Sequence, residues 1–519
     1  AASPAQLTSC PWCGSEVAPG RDVEVDSGLT ILSALQKEGF DVPALCNDVR
    51  LERANGNCGL CVVEVGETHR EVKSCITPVE AGMVIQTRSA TIDAYRKVRV
   101  EQLLCDHNAD CEPPCQQTCP AHIDIQRYLA LVADGNFEAA VRVIKDRNPF
   151  PSACGRVCPH ACEAQCRRNL VDSAVAINNV KRFAADWDLG REQPWLPTVA
   201  RPTGKRMAII GAGPSGLSAA FYAAAAGHEV TVFEAMPHPG GMMRYGIPEY
   251  RLPKAVLDAE IATITALGVR IICNKALGTH LHLEDLQHDF DAVYLAIGSW
   301  TATPMNLPGE NSEGVWTGIG YLREVTKGTD PAPGDSVVVV GGGNTAIDCA
   351  RTAVRRGAKK VVLLYRRTRD EMPAQPHEVV DAEAEGVELR FLAAPTSIVR
   401  DDGGLVLRCM EMVLGEPDRS GRRRPVPVEG SDFAIKASLI IGAIGQSTNT
   451  QFLYNDLPVR LNKWGDIEID GSTMEASESK VFAGGDCVTG PATVIEAVAA
   501  GRRAAWAMDQ FVTKGYVRG

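Results

Sequence analysis

The chain is 519 residues long, 45% apolar and 23% charged, and its 53 basic and 64 acidic side chains leave a formal charge of −11. That length holds several domains, each with its own core. No long basic face favours nucleic acid, and no uninterrupted apolar stretch approaches the ~20 residues that a bilayer span needs. The opening AASPAQLTSC lacks both regions of a secretory signal, so a cytoplasmic chain is expected; the absent initiator Met points to processing or to a lost leading segment. Fourteen of the eighteen cysteines fall in the first 166 residues, and only Cys273, Cys349, Cys409 and Cys487 follow. In a reducing compartment that asymmetry reads as a metal-bearing front and a glycine-rich α/β back.

In chain order, residues 1–19 form an N-terminal segment whose Cys10-x2-Cys13 is a lone pair, incidental or regulatory. Residues 20–95 read as a small domain. RDVEVDSGLTILSALQKEGF alternates as a strand and then takes helical spacing, and CVVEV and MVIQT read as strands. Cys46-x11-Cys58-x2-Cys61-x13-Cys75 surrounds a loop containing Gly56 and Gly59. This is the outline of a β-grasp ferredoxin whose backbone amides point at the sulfurs of a 2Fe-2S cluster, although the first spacing is longer than plant-type loops use. A zinc ribbon or free thiols is the competing reading.

Residues 96–195 read as a helical domain. The stretch CDHNADCEPPCQQTCPAH, residues 105–122, contains Cys111-x3-Cys115-x3-Cys119 and ends in the Cys-Pro of bacterial 4Fe-4S loops. Cys154, Cys158, Cys162 and Cys166 recur every four residues, a spacing that puts thiolates on one helical face. One such row cannot easily surround a cubane, whereas two facing rows hold two. The intervening IDIQRYLALVADGNFEAAVRVIKDRNPFPSAC has helical spacing until Pro149 and Pro151.

After a Pro-rich linker at 188–206 come two nucleotide units. Residues 196–308 hold a strand, the turn Gly211-x-Gly213-x-x-Gly216, an alanine-rich helix, a second strand and Glu234. Glycines let the backbone approach a pyrophosphate on the helix N-terminus, and the acid takes the ribose hydroxyls. Residues 309–445 repeat the pattern with Gly341, Gly343 and Ala346, but Arg366 and Arg367 stand where a carboxylate would favour NAD. Guanidinium forks suit a 2′-phosphate. The arginine run in GEPDRSGRRRPVPVEGSD reads as a solvated hairpin tip. Residues 446–519 return to the first unit, where Asp486 reaches a flavin ribityl chain and the helix from Thr493 and Val494 aims its N-terminus at the isoalloxazine. The expected fold is thus α/β multidomain: a β-grasp ferredoxin domain, an α-helical domain with two 4Fe-4S clusters, and two Rossmann-like domains for FAD and NADP. No Cys-x4-Cys follows the first turn, so electrons must leave the flavin by another route than a redox disulfide.

DCEPPCQQTCPAHIDI, CGRVCPHACEAQC, GAGPSGL, GGMMRYGIPEYRLPK, GGGNTAIDCAR, YRR and FAGGD together resemble the small subunit of NADPH-dependent glutamate synthase. This module recurs in dihydropyrimidine dehydrogenase, in the large subunit of bifurcating NADH-dependent ferredoxin:NADP oxidoreductase, and in β subunits of some NAD(P)-linked formate dehydrogenases and hydrogenases. The first hundred residues resemble the 2Fe-2S domain of the cluster-bearing subunit of complex I, a fusion that points to the formate dehydrogenase or hydrogenase branch. The resemblance implies crossed ligation, with Cys111, Cys115 and Cys166 on one 4Fe-4S cluster and Cys119, Cys158 and Cys162 on the other. The pattern's remaining ligand positions read His107 and Lys181, and an ammonium cannot ligate iron, so Cys105, His107 and Cys154 are the open substitutes. The resemblance also adds Gly241, Arg244, Gly246, Gly298, Asn344, Thr345, Gly445 and Gly485 as cofactor contacts. It implies a diaphorase-type subunit that carries electrons between NADPH, FAD, one 2Fe-2S and two 4Fe-4S clusters, with no catalytic acid or base. The expected partner is the catalytic subunit of a redox complex, with a ferredoxin as a further candidate. The alternatives are the glutamate synthase small subunit itself and a non-enzymatic zinc and nucleotide scaffold that senses redox state.

Overall fold

The structure, a computed structural model, describes residues 22–26, 28–47, 54, 56–105, 112–401, 404–418, 421–448, 450 and 459–517. Contacts divide the chain into two units, 1–111 and 112–519. Among the described residues no helix is long and apolar enough to cross a membrane.

In the first unit a central strand, β1 (Val62–Val65), pairs antiparallel with β2 (Arg70–Lys73) and β3 (Ile85–Gln86). The helix Ile31–Lys37 begins at Thr30, whose hydroxyl accepts from the Ser33 N–H, and buries Ile31, Leu32 and Leu35 against Val63 and Val42. The alternating stretch 22–26 joins no ladder among the described residues; Val23 is 40% exposed and Val25 half-buried, so the alternation has no well-covered face. The helix Ala90–Cys105 also differs from expectation, because it belongs to this unit and not wholly to the helical domain after it. It is held by Arg96, which donates to the carbonyls of Leu60 and Val62 at 3.0 and 2.9 Å.

The second unit opens with helices at Ile125–Ala133, Phe137–Lys145, Pro151–Val157 and Ile177–Leu189. Asp124 and Asn136 cap the first two by accepting from the N–H groups of Arg127 and Ala139, and Pro151 starts the third, where its missing N–H costs nothing. The linker at 188–206 is stitched down instead of free. Lys145 pairs with Asp188 at 2.9 Å, both side chains buried, and also donates to the Trp195 carbonyl, while Ala200 and Thr203 donate to Ala225 and Gly227.

Two parallel sheets follow. The first has β4 (Arg206–Ile210) at its centre, β5 (Glu229–Phe233) and β6 (Arg270–Ile272) on one side, and β7 (Ala292–Leu295) and β19 (Val481–Ala483) on the other. A ribbon of β8 (Thr301–Ala302) and β18 (Gln446–Ser447) marks the crossing between sheets. The second sheet runs β12 (Val387–Phe391), β11 (Lys360–Tyr365), β10 (Ser336–Val340), β17 (Leu439–Gly442), β9 (Val315–Thr317). An antiparallel layer of β13 (Ala393–Asp401), β14 (Gly404–Pro417), β15 (Arg423–Pro427) and β16 (Phe433–Ala437) is inserted before β17. The near-continuous apolar runs RMAII and SVVVV belong to central strands covered on both faces.

Both sheets make the same tight exit. At Gly211 (φ +106) and Gly341 (φ +145) a Cβ would lie 2.3 Å from the Ala296 carbonyl and 2.2 Å from the Ala443 carbonyl, so only glycine lets the turn after each first strand pass its neighbour.

The helical layer is fastened to the first sheet's domain by a carboxylate. Glu260, fully buried on the helix Lys254–Thr265, accepts from the Ser152 and Ala153 N–H groups at the start of the helix Pro151–Val157. Burial lifts its pKa from 4.5 to about 7, although those two donors oppose the shift. The unfolded chain therefore loses this proton first, and stability falls as pH rises between about 4.5 and 7. Glu260→Gln should flatten that fall: the difference in thermal midpoint between wild type and variant should be largest at pH 5 and shrink by pH 8.

Candidate functional site

In the first unit four thiols converge. The N–H groups of Cys58 and Gly56 and the thiols of Cys58 and Cys75 reach Cys46; burial pushes Cys46 up, but these contacts outweigh it and bring it to about 7. Cys75 is driven up to about 12 by burial and by Cys61 and Cys46. Gly56 (φ +71) and Gly59 (φ +72) bend the loop so that its amides face inward. Arg99 closes it from outside, donating to the carbonyls of Cys58 at 3.4 Å and Asn57 at 3.2 Å. A donor set of four thiols with inward amides fits a 2Fe-2S cluster. The amides would stabilise the negative charge of such a cluster, and Arg99 satisfies the loop's carbonyls in its place.

The second group of thiols lies in the second unit, where the cysteine row is not one helical face. Cys154 lies inside the helix Pro151–Val157, Cys158 caps its end in an extended conformation, and Pro159 breaks the row. His160 follows at φ +59 before the short helix Ala161–Ala164, which carries Cys162, and Cys166 starts a 3-10 turn. Burial raises Cys115, and the thiols of Cys166 and Cys119 add to the shift. Burial lifts Cys162 to about 12, with Lys181 opposing and Cys158 and Cys119 adding. The neighbours of Cys115 and Cys162 thus lie on the other segment as well as on their own. Cys154 is wholly buried, lifted to about 12, and directs its thiol to Asn148 Oδ1 at 3.8 Å. Cys105 is exposed at the end of its helix. Cys10, Cys13, His107 and Cys111 lie outside the described residues.

Above the first parallel sheet is a cavity of about 550 Å³ whose walls include Gly211, Gly213, Glu234, Gly241, Gly298, Asp486, Thr493 and Val494. Glu234 directly follows β5 and accepts from the Ala212 and Met236 N–H groups at 2.7 and 2.8 Å; burial raises its pKa. Burial pushes Asp486 up to about 7, with the Ala492 N–H opposing and Glu496 adding. Thr493 and Glu496 form a reciprocal cap on the helix Val494–Lys514, whose N-terminus faces the cavity. That helix lies tightly on Pro214–Ala225, since a Cβ at Gly501 would stand 2.0 Å from the Ser215 carbonyl.

Gly216, Gly246 and Gly485 do not line the cavity. Gly216 serves the turn, because its Cβ would meet the Gly211 carbonyl at 1.9 Å, and Gly485 packs on Ser215. Arg244 is also absent from the walls: it is buried, ion-paired to Asp258 and bonded to the Pro239 carbonyl. The cavity instead receives Lys275, Trp300 and Arg323, which carry no motif. Arg323 comes from the helix Gly318–Lys327 of the other nucleotide unit, a contribution that spacing along the chain cannot reveal.

A second cavity, about 730 Å³, opens above the second sheet. Gly341, Gly343, Thr345, Arg366, Arg367 and Gly445 line it, while Asn344 is turned aside to accept from the Gln375 N–H at 3.0 Å. Among the described residues, its walls hold three arginines and no carboxylate, the third being Arg422 from the hairpin expected to be solvated. Glycine turns at a helix start with a buried acid beside them in the first cavity, and a glycine turn with arginines in the second, are donor sets that fit dinucleotides.

Residues 205–501 match the family Pyridine nucleotide-disulphide oxidoreductase, 87–193 the Dihydropyrimidine dehydrogenase domain II with a 4Fe-4S cluster, and 19–90 the 2Fe-2S iron-sulfur cluster binding domain. The chain is 45% identical to the NADP(+)-dependent formate dehydrogenase subunit beta of Moorella thermoacetica, over 78% of this chain and 60% of that protein. It is 40% identical to the NADPH-Fe(3+) oxidoreductase subunit beta of Geobacter sulfurreducens, over 78% and 64%. Against the glutamate synthase [NADPH] small chain of Escherichia coli it is 36% identical over 76% and 87%. The chain spans about three fifths of the length of the first two relatives. Mycobacterium tuberculosis FprA in complex with NADPH shares the fold over 62% of this chain and 87% of that one, with a TM-score of 0.51 and 19% identity.

If the ligands cross between segments, Cys119→Ser and Cys158→Ser should abolish the same low-temperature paramagnetic signal of the reduced protein and Cys115→Ser a different one. Loss of one common signal in the Cys115 and Cys119 variants would place each cluster within a single row.

Proposed function

Because the chain belongs to the pyridine nucleotide-disulphide oxidoreductase family, and to the family of the glutamate synthase small chain within it, we propose that it is the diaphorase-type subunit of a larger redox complex. Its cofactors are FAD, NADPH, a 2Fe-2S and 4Fe-4S iron-sulfur. The finer reading is one β-grasp 2Fe-2S domain, two 4Fe-4S clusters, and FAD and NADPH in the first and second cavities. The proposed partner is a catalytic subunit of formate dehydrogenase type. The family's disulfide chemistry has no counterpart here, as no cysteine pair follows the first turn.

One observation carries this reading: neighbouring residues of two segments line one cavity and then the other. Gly298 and Trp300 line the first and Ala302 and Thr303 the second, while Ala492–Val494 line the first and Pro491 the second. A nicotinamide entering from the second sheet would meet a flavin at that boundary. When bound, the flavin supplies the exchange between a two-electron hydride and single electrons for the clusters. The chain's own residues bind and orient. Glu234 would take the adenosine ribose and Asp486 the ribityl hydroxyls. The capped N-terminus at Val494 presents N–H groups to developing negative charge. The helical layer is bonded directly to the flavin domain, through Glu260, through Tyr222 to the Lys145 carbonyl at 3.0 Å, and through Arg502 to the Asp146 carbonyl at 3.1 Å. That keeps the thiol-rich helices at a fixed distance from the first cavity. The glutamate synthase reading accounts for residues from 112 onward but gives no role to the thiol loop of the first unit.

Removing residues 1–104 should leave NADPH bleaching of the flavin and reduction of an artificial dye near wild-type rates, and abolish transfer to the partner complex. A truncated chain that still reduces its partner at full rate would show that electrons leave from the 4Fe-4S domain.

A further inference from the structure

The helix Ala90–Cys105 starts where the match to the 2Fe-2S binding domain, residues 19–90, ends, yet it is bonded to the thiol loop of that domain. Arg96 donates through Nε and Nη2 to the carbonyls of Leu60 and Val62, the two neighbours of Cys61. Arg99 donates through Nε and Nη2 to the carbonyls of Cys58 and Asn57. Three residues apart, the two side chains share one helix face and divide the loop between them. Gly59, between the two cysteines, leaves room for this contact: a Cβ there would stand 2.9 Å from Arg99 Nε and 3.3 Å from the Tyr95 hydroxyl.

The contact brings two charges that are not cancelled at close range. Among the described residues neither guanidinium is ion-paired to a carboxylate. Arg99 also donates to the neutral Gln102 side chain at 2.6 Å, while Asp93 and Asp41 act on Arg96 from farther off and Arg88 opposes them. Cys61 is itself among the groups whose charge acts on Arg96. Both arginines are half-buried, so solvent screens them less than it would on an open surface, and a guanidinium does not give up its proton in a protein.

We propose that Arg96 and Arg99 raise the reduction potential of the cluster at Cys46, Cys58, Cys61 and Cys75, their fixed positive charges favouring its reduced form. This rests on the reading that those four thiols hold a 2Fe-2S cluster. Reduction brings in one electron, supplied by way of the flavin, and turns one ferric iron ferrous; no bond forms or breaks, and the site gains one negative charge. Two nearby cations therefore stabilise the reduced state more than the oxidised one. The inward amides act in the same direction through partial charges, and the guanidiniums add whole charges from a separate element.

The test uses the full chain with its cofactors and a redox titration of the 2Fe-2S paramagnetic signal, with iron and sulfide assayed alongside. Arg96→Gln and Arg99→Gln should each lower the reduction constant severalfold and together about tenfold, which is about 59 mV for one electron. Each single variant leaves the other guanidinium on the loop, so the helix stays latched. Arg99→Lys, which keeps the charge and loses the fork, should remain near wild type, and Arg99→Glu should fall below Arg99→Gln. This series at position 99 decides the matter by itself if Arg96→Gln does not retain its iron. If the arginines only hold the loop in shape, Arg99→Lys will shift as far as Arg99→Gln. That result, or Gln variants with full iron and the wild-type potential, would overturn the proposal. A wild type whose first unit carries zinc or no 2Fe-2S signal would instead overturn the reading of the four thiols.

Discussion

One guanidinium fixes the angle between the two nucleotide units. Arg251, on the loop of the first nucleotide unit that follows the GGMMRYGIPEY stretch, donates to Asp348 at 2.7 Å and pairs with Glu378, both carboxylates belonging to the second nucleotide unit and all three groups nearly buried. Tyr250 beside it lies under Arg355 and Arg351, 4.0 and 4.9 Å from the ring centre. A buried ion triad adds little net stability, because desolvation offsets attraction, but removing one partner strands a charge at a cost of about 3–5 kcal/mol. Such a contact selects one arrangement over others. The arrangement selected makes Pro491 and Ala492 walls of adjacent cavities, and the proposed hydride path depends on it.

The same logic joins the helical layer to the flavin side. Glu260 could have been an apolar residue in a well-packed seam; as a buried carboxyl it instead satisfies two N–H groups that a helix start leaves open. Its elevated pKa is the cost of that location. Electron transfer between separated cofactors needs constant distance more than it needs moving side chains. The seams between these domains are accordingly made of directional bonds: Glu260 to two amides, Tyr222 to Lys145, Arg502 to Asp146.

Charge sorts the two cavities. Similar glycine turns exit both sheets, so the backbone alone would accept either dinucleotide. The first mixes Glu234 and Asp486 with Lys275 and Arg323, whereas the described residues of the second cavity's walls include arginines and no carboxylate. Around the first-unit thiols the device is different: amides turned inward by positive-φ glycines, and carbonyls bonded by Arg96 and Arg99 of the following helix.

Much of this was legible in the sequence, because the governing physics is local. Glycine spacing sets the two turns, Glu234 follows the second strand of its unit by count, Cys46, Cys58, Cys61 and Cys75 meet in one small fold, and Thr493 caps a helix through its neighbour Glu496. What failed was also physical. The alternation at 22–26 predicts a strand only where a face is buried. Four-residue spacing predicts a helical row only if no proline interrupts, and Pro159 turns Cys158 away from the helix that holds Cys154. Arg244 pairs with Asp258 and stands outside the first cavity's walls, whereas Arg367 lines the second cavity and also pairs with Asp418. Sequence by itself therefore determined the kinds of site this protein has, since those rest on backbone turns and clustered donors. Which arginines are tied to a carboxylate, which nucleotide unit lends Arg323 to the other's cavity, and which elements Arg251 and Glu260 join were decided only by tertiary structure, because long flexible cations and buried carboxylates take their partners from whatever the fold brings within reach.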